Sequence, residues 1–300
     1  MDLYIGVDVE LSGVVLKATF WGVRGSIPTP GQSTNEWGGN SSCVQVQHGD
    51  EFPLVLDCGT GARALGQQLV AKPGRELDLL FTHFHMDHVF GFPFFLPIFT
   101  PGYDVRVTVP ALSKDEAKNK LGQYLNGVYH PVRLRDVMDN VSFHVFSPGD
   151  TLTKGPYTIH TCRLNHPGGA VGYRIETGGQ SVAYMTDTSP FARPGEGIAY
   201  GTRSPSLERN VIRFLEGADL VIYDTMYEYS EYLTKMSWGH SYPEYAEALC
   251  KEAGVGHLVL FHHSPDATDT QLNALNAHWR DRVTPRVSVA KEGCTVNVEG

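Results

Sequence analysis

Four residues able to ligate a metal fall within six positions in the segment Thr82-His83-Phe84-His85-Met86-Asp87-His88. Residues two apart in an extended segment face the same side, so His83 and His85 can grip one cation together. A helix starting near Asp87 would turn Asp87 and His88 towards a second cation beside the first. Imidazole and carboxylate at this spacing are a metal-binding pattern, and the chemistry they offer is Lewis-acid activation of water. The chain holds 13 histidines, and histidine is the commonest metal ligand.

Such a segment needs a rigid element behind it. Residues 77–81 form a continuous apolar run that reads as a buried strand and leads straight into His83. Residues 14–21, 42–47 and 54–57 are short, apolar or alternating, and bounded by Gly, Asn or Asp, so they read as strands. Gly59-Thr60-Gly61 opens a predicted helix through residue 69, and residues 105–109 form another strand. Ser113, followed by Asp115 and Glu116, marks a helix start, with the helix running to about residue 125. Strands are predicted at 141–146 and 157–164, and at 171–176 and 181–185 around the hairpin signal Gly178-Gly179. Helices follow at 207–215, 242–252 and 269–280, with buried strands at 220–224 and 257–261, and two strands close the chain. Residues 190–205 read as a loop. Together these predict one domain over residues 1–300, of α+β class, in two β-then-α halves of about 14–165 and 166–298. Two sheets would pack face to face with helices outside.

Composition narrows the partners. Hydrophobic residues make up 41% and charged residues 19%, which excludes a disordered, collagen-like or coiled-coil chain. The longest apolar stretch, residues 89–99, is broken by Pro93 and Pro97 and falls short of the about 20 residues a span needs, so no membrane partner is expected. Residues 1–10 carry two acids and no basic run, so no leader is read there. A net charge of −9 disfavours long nucleic acid. Five cysteines with no close pair point to a reducing, cytoplasmic location. Phe90, Phe92, Phe94, Phe95 and Phe99 read as core, while Tyr227, Tyr229 and Tyr232, interleaved with Glu228 and Glu231, read as a pocket rim or a homodimer contact.

The HxHxDH pattern resembles that of the metallo-β-lactamase superfamily, and further motifs follow in order. These are Asn165-His166-Pro167-Gly168-Gly169, Thr186-Asp187-Thr188 and Phe261-His262-His263-Ser264. The resemblance covers nearly all of the chain and implies an αββα four-layer sandwich with a one- or two-metal site at one edge. It implies His83, His85 and His166 on one metal, Asp87, His88 and His262 on the other, and Asp187 between them. His262 directly follows its strand and fits the last position; His263 would pack behind it. The donor set contains no cysteine and suits two divalent ions, Zn²⁺ first, with Mn²⁺ or Fe also compatible.

Two further stretches resemble the branch that holds RNase Z and small-molecule phosphodiesterases: Phe20-Trp21-Gly22-Val23-Arg24-Gly25-Ser26-Ile27-Pro28 and Leu56-Asp57-Cys58-Gly59-Thr60-Gly61. There Arg24 and Ser26 would meet a substrate phosphate. Trp238-Gly239-His240-Ser241 resembles a motif whose histidine contacts the scissile phosphate and assists the leaving group, and a helix starting near Ser241 favours an anion. The implied activity is hydrolysis of a small phosphodiester, a cyclic nucleotide among the candidates, by a hydroxide bridging two metals, with Asp87 and His240 moving protons. RNase Z carries a long arm between the third and fourth motifs, whereas His166 to Asp187 spans only a hairpin, which sets tRNA processing aside. Two other classes stand beside this reading. One is a lactone, thioester or β-lactam hydrolase, which needs no histidine at the leaving group. The other is a non-catalytic metal sensor or partner subunit, which should have lost ligands; none is missing.

Overall fold

The computed structural model describes residues 14–71 and 76–299; the reading of residues 1–10 as free of a leader lies outside them. The first sheet is built from β1 (Leu16–Gly22), β2 (Cys43–His48), β3 (Leu54–Leu56), β4 (Glu76–Leu80), β5 (Asp104–Pro110) and β6 (Val141–Phe146). The second holds β7 (Thr151–Lys154), β8 (Tyr157–Leu164), β9 (Ala170–Thr177), β10 (Gln180–Met185), β11 (Leu220–Asp224), β12 (His257–Phe261) and β13 (Arg286–Val289). The last strand, β14 (Thr295–Asn297), returns to the first sheet and pairs with β1. Each sheet has seven strands, ordered β14-β1-β2-β3-β4-β5-β6 and β13-β12-β11-β10-β9-β8-β7.

The two sheets share a plan. In the first, β3, β4, β5 and β6 run parallel; in the second, β10, β11, β12 and β13 do. Parallel neighbours need crossovers, and helices supply them. These are α1 (Ala62–Val70), the one-turn α2 (Met86–Val89), α3 (Lys114–Gly122), α4 (Ser206–Leu215), α5 (Tyr229–Lys235), α6 (Pro243–Glu252) and α7 (Asp269–Trp279). Ser113 caps α3 by accepting from Glu116 N–H at 3.1 Å, as its sequence predicts. Leu16, Phe20, Val44, Leu56 and Leu80 meet Tyr157, Ile159, Tyr173, Ile175, Ile222 and Phe261 between the sheets. One outer layer packs α1 and α3 on the first sheet, and the other packs α4, α6 and α7 on the second. The result is the four-layer αββα sandwich. No helix among the described residues is long and apolar enough to cross a membrane.

Three details differ from the sequence reading. The division near residue 165 falls inside the second sheet, because β7 pairs with β8 and β8 with β9, none of them with β6. The segment around Tyr229 is helical, opened by a reciprocal Glu228–Glu231 cap that its charge spacing carried. The phenylalanine run divides: Phe92 and Phe95 are fully buried core, whereas Phe94 is exposed and, with Phe90, lines a surface cavity beside Tyr124 and His130.

Candidate metal centre

All seven sequence-predicted ligands sit at strand ends or in the first turn beyond them. His83 and His85 follow β4, Asp87 and His88 lie in α2, and His166, Asp187 and His262 follow β8, β10 and β12. In open α/β sheets the carboxyl ends of parallel strands are where ligands bind, and here both sheets contribute such ends to one edge. Asp187 and His262 leave their strands with φ of 56° and 64°, as does Asp57 after β3 with 57°. Such left-handed backbone costs about 1–2 kcal/mol for a non-glycine residue, and among the described non-glycine residues it recurs at the site alone, with Ser26 the fourth case.

The donors form two sets that share Asp187. One set is His83, His85, His166 and Asp187, the other Asp87, His88, His262 and Asp187, with ligand atoms within 4.8 Å of one another in each. Asp187 Oδ2 lies 3.5 Å from His83 Nε2 and 3.6 Å from His166 Nε2. Its Oδ1 lies 3.0 Å from both His88 Nε2 and His262 Nε2. The carboxylate thus presents one oxygen to each set. Asp87 Oδ2 closes the second set at 3.2 Å from the same two nitrogens.

The outward nitrogens fix how these rings face. His88 Nδ1 donates to Asp57 Oδ2 at 2.7 Å, and His166 Nδ1 to the Gly239 carbonyl at 2.9 Å; neither partner can donate. Thr82 Oγ1 donates to Asp57 and accepts from His83 Nδ1 at 3.0 Å. Each ring therefore turns its Nε2 inward, the arrangement that a hydrogen bond at the outward nitrogen imposes on metal-binding histidines. His83 Nε2 and His88 Nε2 are buried without a hydrogen-bond partner. His85 Nδ1 faces His166 Nε2 at 3.0 Å. A proton or a cation between them satisfies that approach; the two converging donor sets, with His83 Nε2 and His88 Nε2 left without a hydrogen bond, fit two metal ions with Asp187 common to both sets.

Burial, with the neighbouring His88, holds His83 well below the ordinary histidine pKa, and burial likewise lowers His166. Burial also opposes charge on His88, but Asp187, Asp87 and Asp57 overcome it and raise its pKa well above the usual value. Asp187 and Asp87 are buried, which favours their neutral form; the surrounding histidines outweigh this and keep both well below the carboxylate range. A negative, nitrogen-lined centre of this kind exchanges protons for cations, and its metal affinity rises with pH.

His240 stands at the border of both sets, its ring centroid 5.4 Å from that of His166 and 5.1 Å from that of His262. Its Nδ1 donates to Asp224 Oδ2 at 2.8 Å. Asp224, at the end of β11, also accepts from Thr188 N–H at 3.0 Å and Met226 N–H at 3.1 Å, so it is spent as an orienting group. Burial disfavours the charged ring, but Asp224 more than compensates, and the His240 pKa is pushed up to about 9. Neither Asp224 nor Asp57 was singled out as functional from the sequence. The available signal was an acid ending a run of buried aliphatics, LVLD and LVIYD.

The glycine-rich turn acts differently from its sequence reading. Arg24 is fully buried; its guanidinium donates to the carbonyls of Gly38, Ser264 and Ala267, so it ties loops together and is not a substrate contact. The physical reason is that a buried cation without acceptors would be costly: Nε and Nη1 are taken up by these carbonyls, while Nη2 is buried without a hydrogen-bond partner and out of reach of a ligand in solvent. Ser26 is exposed at the site, and its N–H does meet an anion, the Asp87 carboxylate at 2.8 Å. Gly25 lets the turn close, since a Cβ there would lie 2.5 Å from His262 Cε1. His263 points away, donating to the Ala290 carbonyl at 2.7 Å.

Residues 54–263 match the beta-lactamase superfamily domain. Ribonuclease Z of Picrophilus torridus is 24% identical over 282 residues, covering 85% of this chain and 88% of that protein. Among solved structures, the metallo-beta-lactamase fold protein YhfI from Bacillus subtilis superposes with a TM-score of 0.68 at 22% identity, covering 95% of this chain and all of that one. A diphosphatase from the PhnP family gives 0.63 at 17% identity over 94% and 96% of the two chains. Those structural likenesses carry the fold; the donor sets carry the chemistry, that of a metal-dependent hydrolase. A strand-end cluster of histidines and aspartates, a sandwich that delivers it, and a domain match across it place the chain in the metallo-β-lactamase-fold superfamily, with homologues in its RNase Z and phosphodiesterase branch.

Proposed function

We propose that the protein is a phosphodiesterase acting on a small phosphodiester. The observation that carries this reading is the Asp224–His240 pair beside the two donor sets, because a phosphodiester has a poor leaving group that needs a proton. His83, His85 and His166 would hold one ion, Asp87, His88 and His262 the other, and Asp187 both; Zn²⁺ suits these donors best. When bound, two such ions lower the pKa of water and neutralise charge growing on phosphoryl oxygens.

The chain's own groups do the rest. Asp224 accepts from Nδ1 and so fixes the His240 tautomer, leaving Nε2 to hand its proton to the departing oxygen. His240 keeps a small exposed surface, so that edge is reachable. Its pKa of about 9 owes part of its rise to Asp187 and Asp87, and cations that take up those charges bring it nearer neutrality, where a general acid works best. The Asp87 carboxylate, held by Ser26 N–H, is placed to accept a proton from the attacking water.

The small substrate follows from two features. The segment between His166 and Asp187 is the tight β9–β10 hairpin, without the arm through which RNase Z grips tRNA, and the net charge of −9 repels a polyanion. Ribonuclease Z and a diphosphatase among the similar proteins support phosphorus chemistry. The test is a parallel assay of bis(p-nitrophenyl) phosphate, a chromogenic lactone and a thioester with Zn²⁺ or Mn²⁺. Turnover of the diester above the other two supports the reading; a dominant lactonase or thioesterase activity overturns it.

A further inference from the structure

A cavity of ≈ 510 Å³ opens beside the first donor set, lined by Asn165, His166, Ser189, Arg193, Tyr232 and Gly239 among others. His166 belongs to the metal centre, and Gly239 directly precedes His240. A group that departs with the His240 proton therefore has this cavity next to it.

The opposite wall, residues 189–194, is held in place. Asn165 spans it, with its N–H side-chain amide donating to the Pro190 carbonyl at 2.7 Å and its own carbonyl accepting from Ser189 N–H at 2.8 Å. Phe191 N–H donates to Tyr245 Oη at 2.8 Å. Further along, the fully buried Glu208 carboxylate accepts from Ile198 N–H at 3.1 Å. Gly197, at φ 86°, backs onto that carboxylate, where a Cβ would lie 2.6 Å from it. Immobile walls bind with less ordering cost.

On this wall stands Arg193. It is exposed and has no ion pair, side-chain hydrogen bond or ring contact among the described residues. No acidic side chain lines the cavity among those residues, although the whole chain carries −9. The cavity on the other side of the donors also holds a guanidinium, Arg163, but its lining includes an acid, Glu116, paired with Lys120 at 2.7 Å, so that cavity is not acid-free. A free guanidinium in a polar, acid-free cavity matches a carboxylate or phosphate through a forked, charge-assisted contact.

We propose that this cavity is the leaving-group subsite and Arg193 its specificity-determining residue, so that the preferred substrate carries an anionic group, carboxylate or phosphate, on its departing half. The inference rests on the phosphodiesterase reading of the same site. It predicts a ratio of kcat/KM rather than an absolute rate.

Methyl 4-nitrophenyl phosphate is compared with its 3-carboxy and 3-phosphono derivatives, using metal-loaded wild type, Arg193→Ala and Arg193→Lys. Wild type should favour at least one derivative by about tenfold or more, Arg193→Ala should bring the ratio near one, and Arg193→Lys should fall between. Which derivative gains more tells carboxylate from phosphate. A wild-type ratio near one, or a ratio unchanged in Arg193→Ala, overturns the subsite. Calorimetric binding of phenylphosphonate and 3-carboxyphenylphosphonate separates the two readings if no diester is cleaved. An Arg193-dependent preference for the carboxylated ligand then upholds the subsite while the phosphodiesterase reading fails; no such preference sinks the subsite as well.

Discussion

Two buried aspartate–histidine pairs face each other across the sandwich, one from each sheet, and they are built alike. Asp57 follows β3 and Asp224 ends β11. Each binds a histidine Nδ1, at 2.7 Å for His88 and 2.8 Å for His240. Each also accepts a backbone N–H from the loop after a neighbouring parallel strand, Thr82 at 2.7 Å beyond β4 and Thr188 at 3.0 Å beyond β10. The difference lies at the other ring nitrogen. His88 Nε2 is fully enclosed and faces two carboxylates, whereas His240 stands at the edge with part of its surface open. In the proposed mechanism the same local device thus orients a metal ligand in one sheet and a proton donor in the other. Enclosure, not hydrogen bonding, separates the roles.

Breaking the centre that both pairs border should cost most. Asp187→Ala removes the one carboxylate common to both donor sets, so bound metal should fall below two per chain and turnover by about 10³-fold or more. Elemental analysis and a diester assay check this together. Full metal content with full activity in that variant would refute the bridging role.

The two pairs should then separate. Asp224→Asn should leave metal content intact and slow cleavage of alkyl diesters by about 10²-fold or more, because the ring loses its orienting acceptor. Asp57→Asn should instead weaken metal binding by about 10–100-fold, the usual cost of losing such a partner, as read by competition with a chelator. If both substitutions changed metal affinity equally, the distinction between the pairs would collapse.

The smallest effect concerns pH. His240 acts protonated, so activity falls as pH rises through its pKa. Asp224 does most to hold that pKa above its ordinary value against burial, with Asp187 and Asp87 adding to it. In Asp224→Asn the pKa drops towards or below its ordinary value of about 6.5, and the alkaline limb of kcat moves to lower pH. An unmoved limb would assign that titration to another group.

The sequence carried the candidate donors well, because they follow apolar runs whose ends a strand must mark. His83, His85, Asp87, His88, His166, Asp187 and His262 all converge. It carried the sheets nearly as well, since β-branched runs between glycine turns leave few alternatives. It concealed Asp57 and Asp224, because an acid closing a strand looks like any polar terminator until the parallel neighbour brings Thr82 or Thr188 against it. It misdirected at Arg24, where a cation in a glycine-rich turn suggests an anion contact, while the side chain is buried and held by three carbonyls from residues 38, 264 and 267. Local spacing reports ligands that share a segment; it does not report which distant backbone reaches a side chain first.

The division of labour between a two-ion centre and a separate proton donor is tested most directly by His240→Ala, with bound metal counted and two diesters compared. One has an alkoxide leaving group, which needs a proton, and the other p-nitrophenolate, which needs little help. The expected result is unchanged metal content, with a loss on the alkyl diester of about 10²–10⁴-fold and a much smaller loss on the p-nitrophenyl ester. Equal losses on both substrates, or none on either, would contradict it.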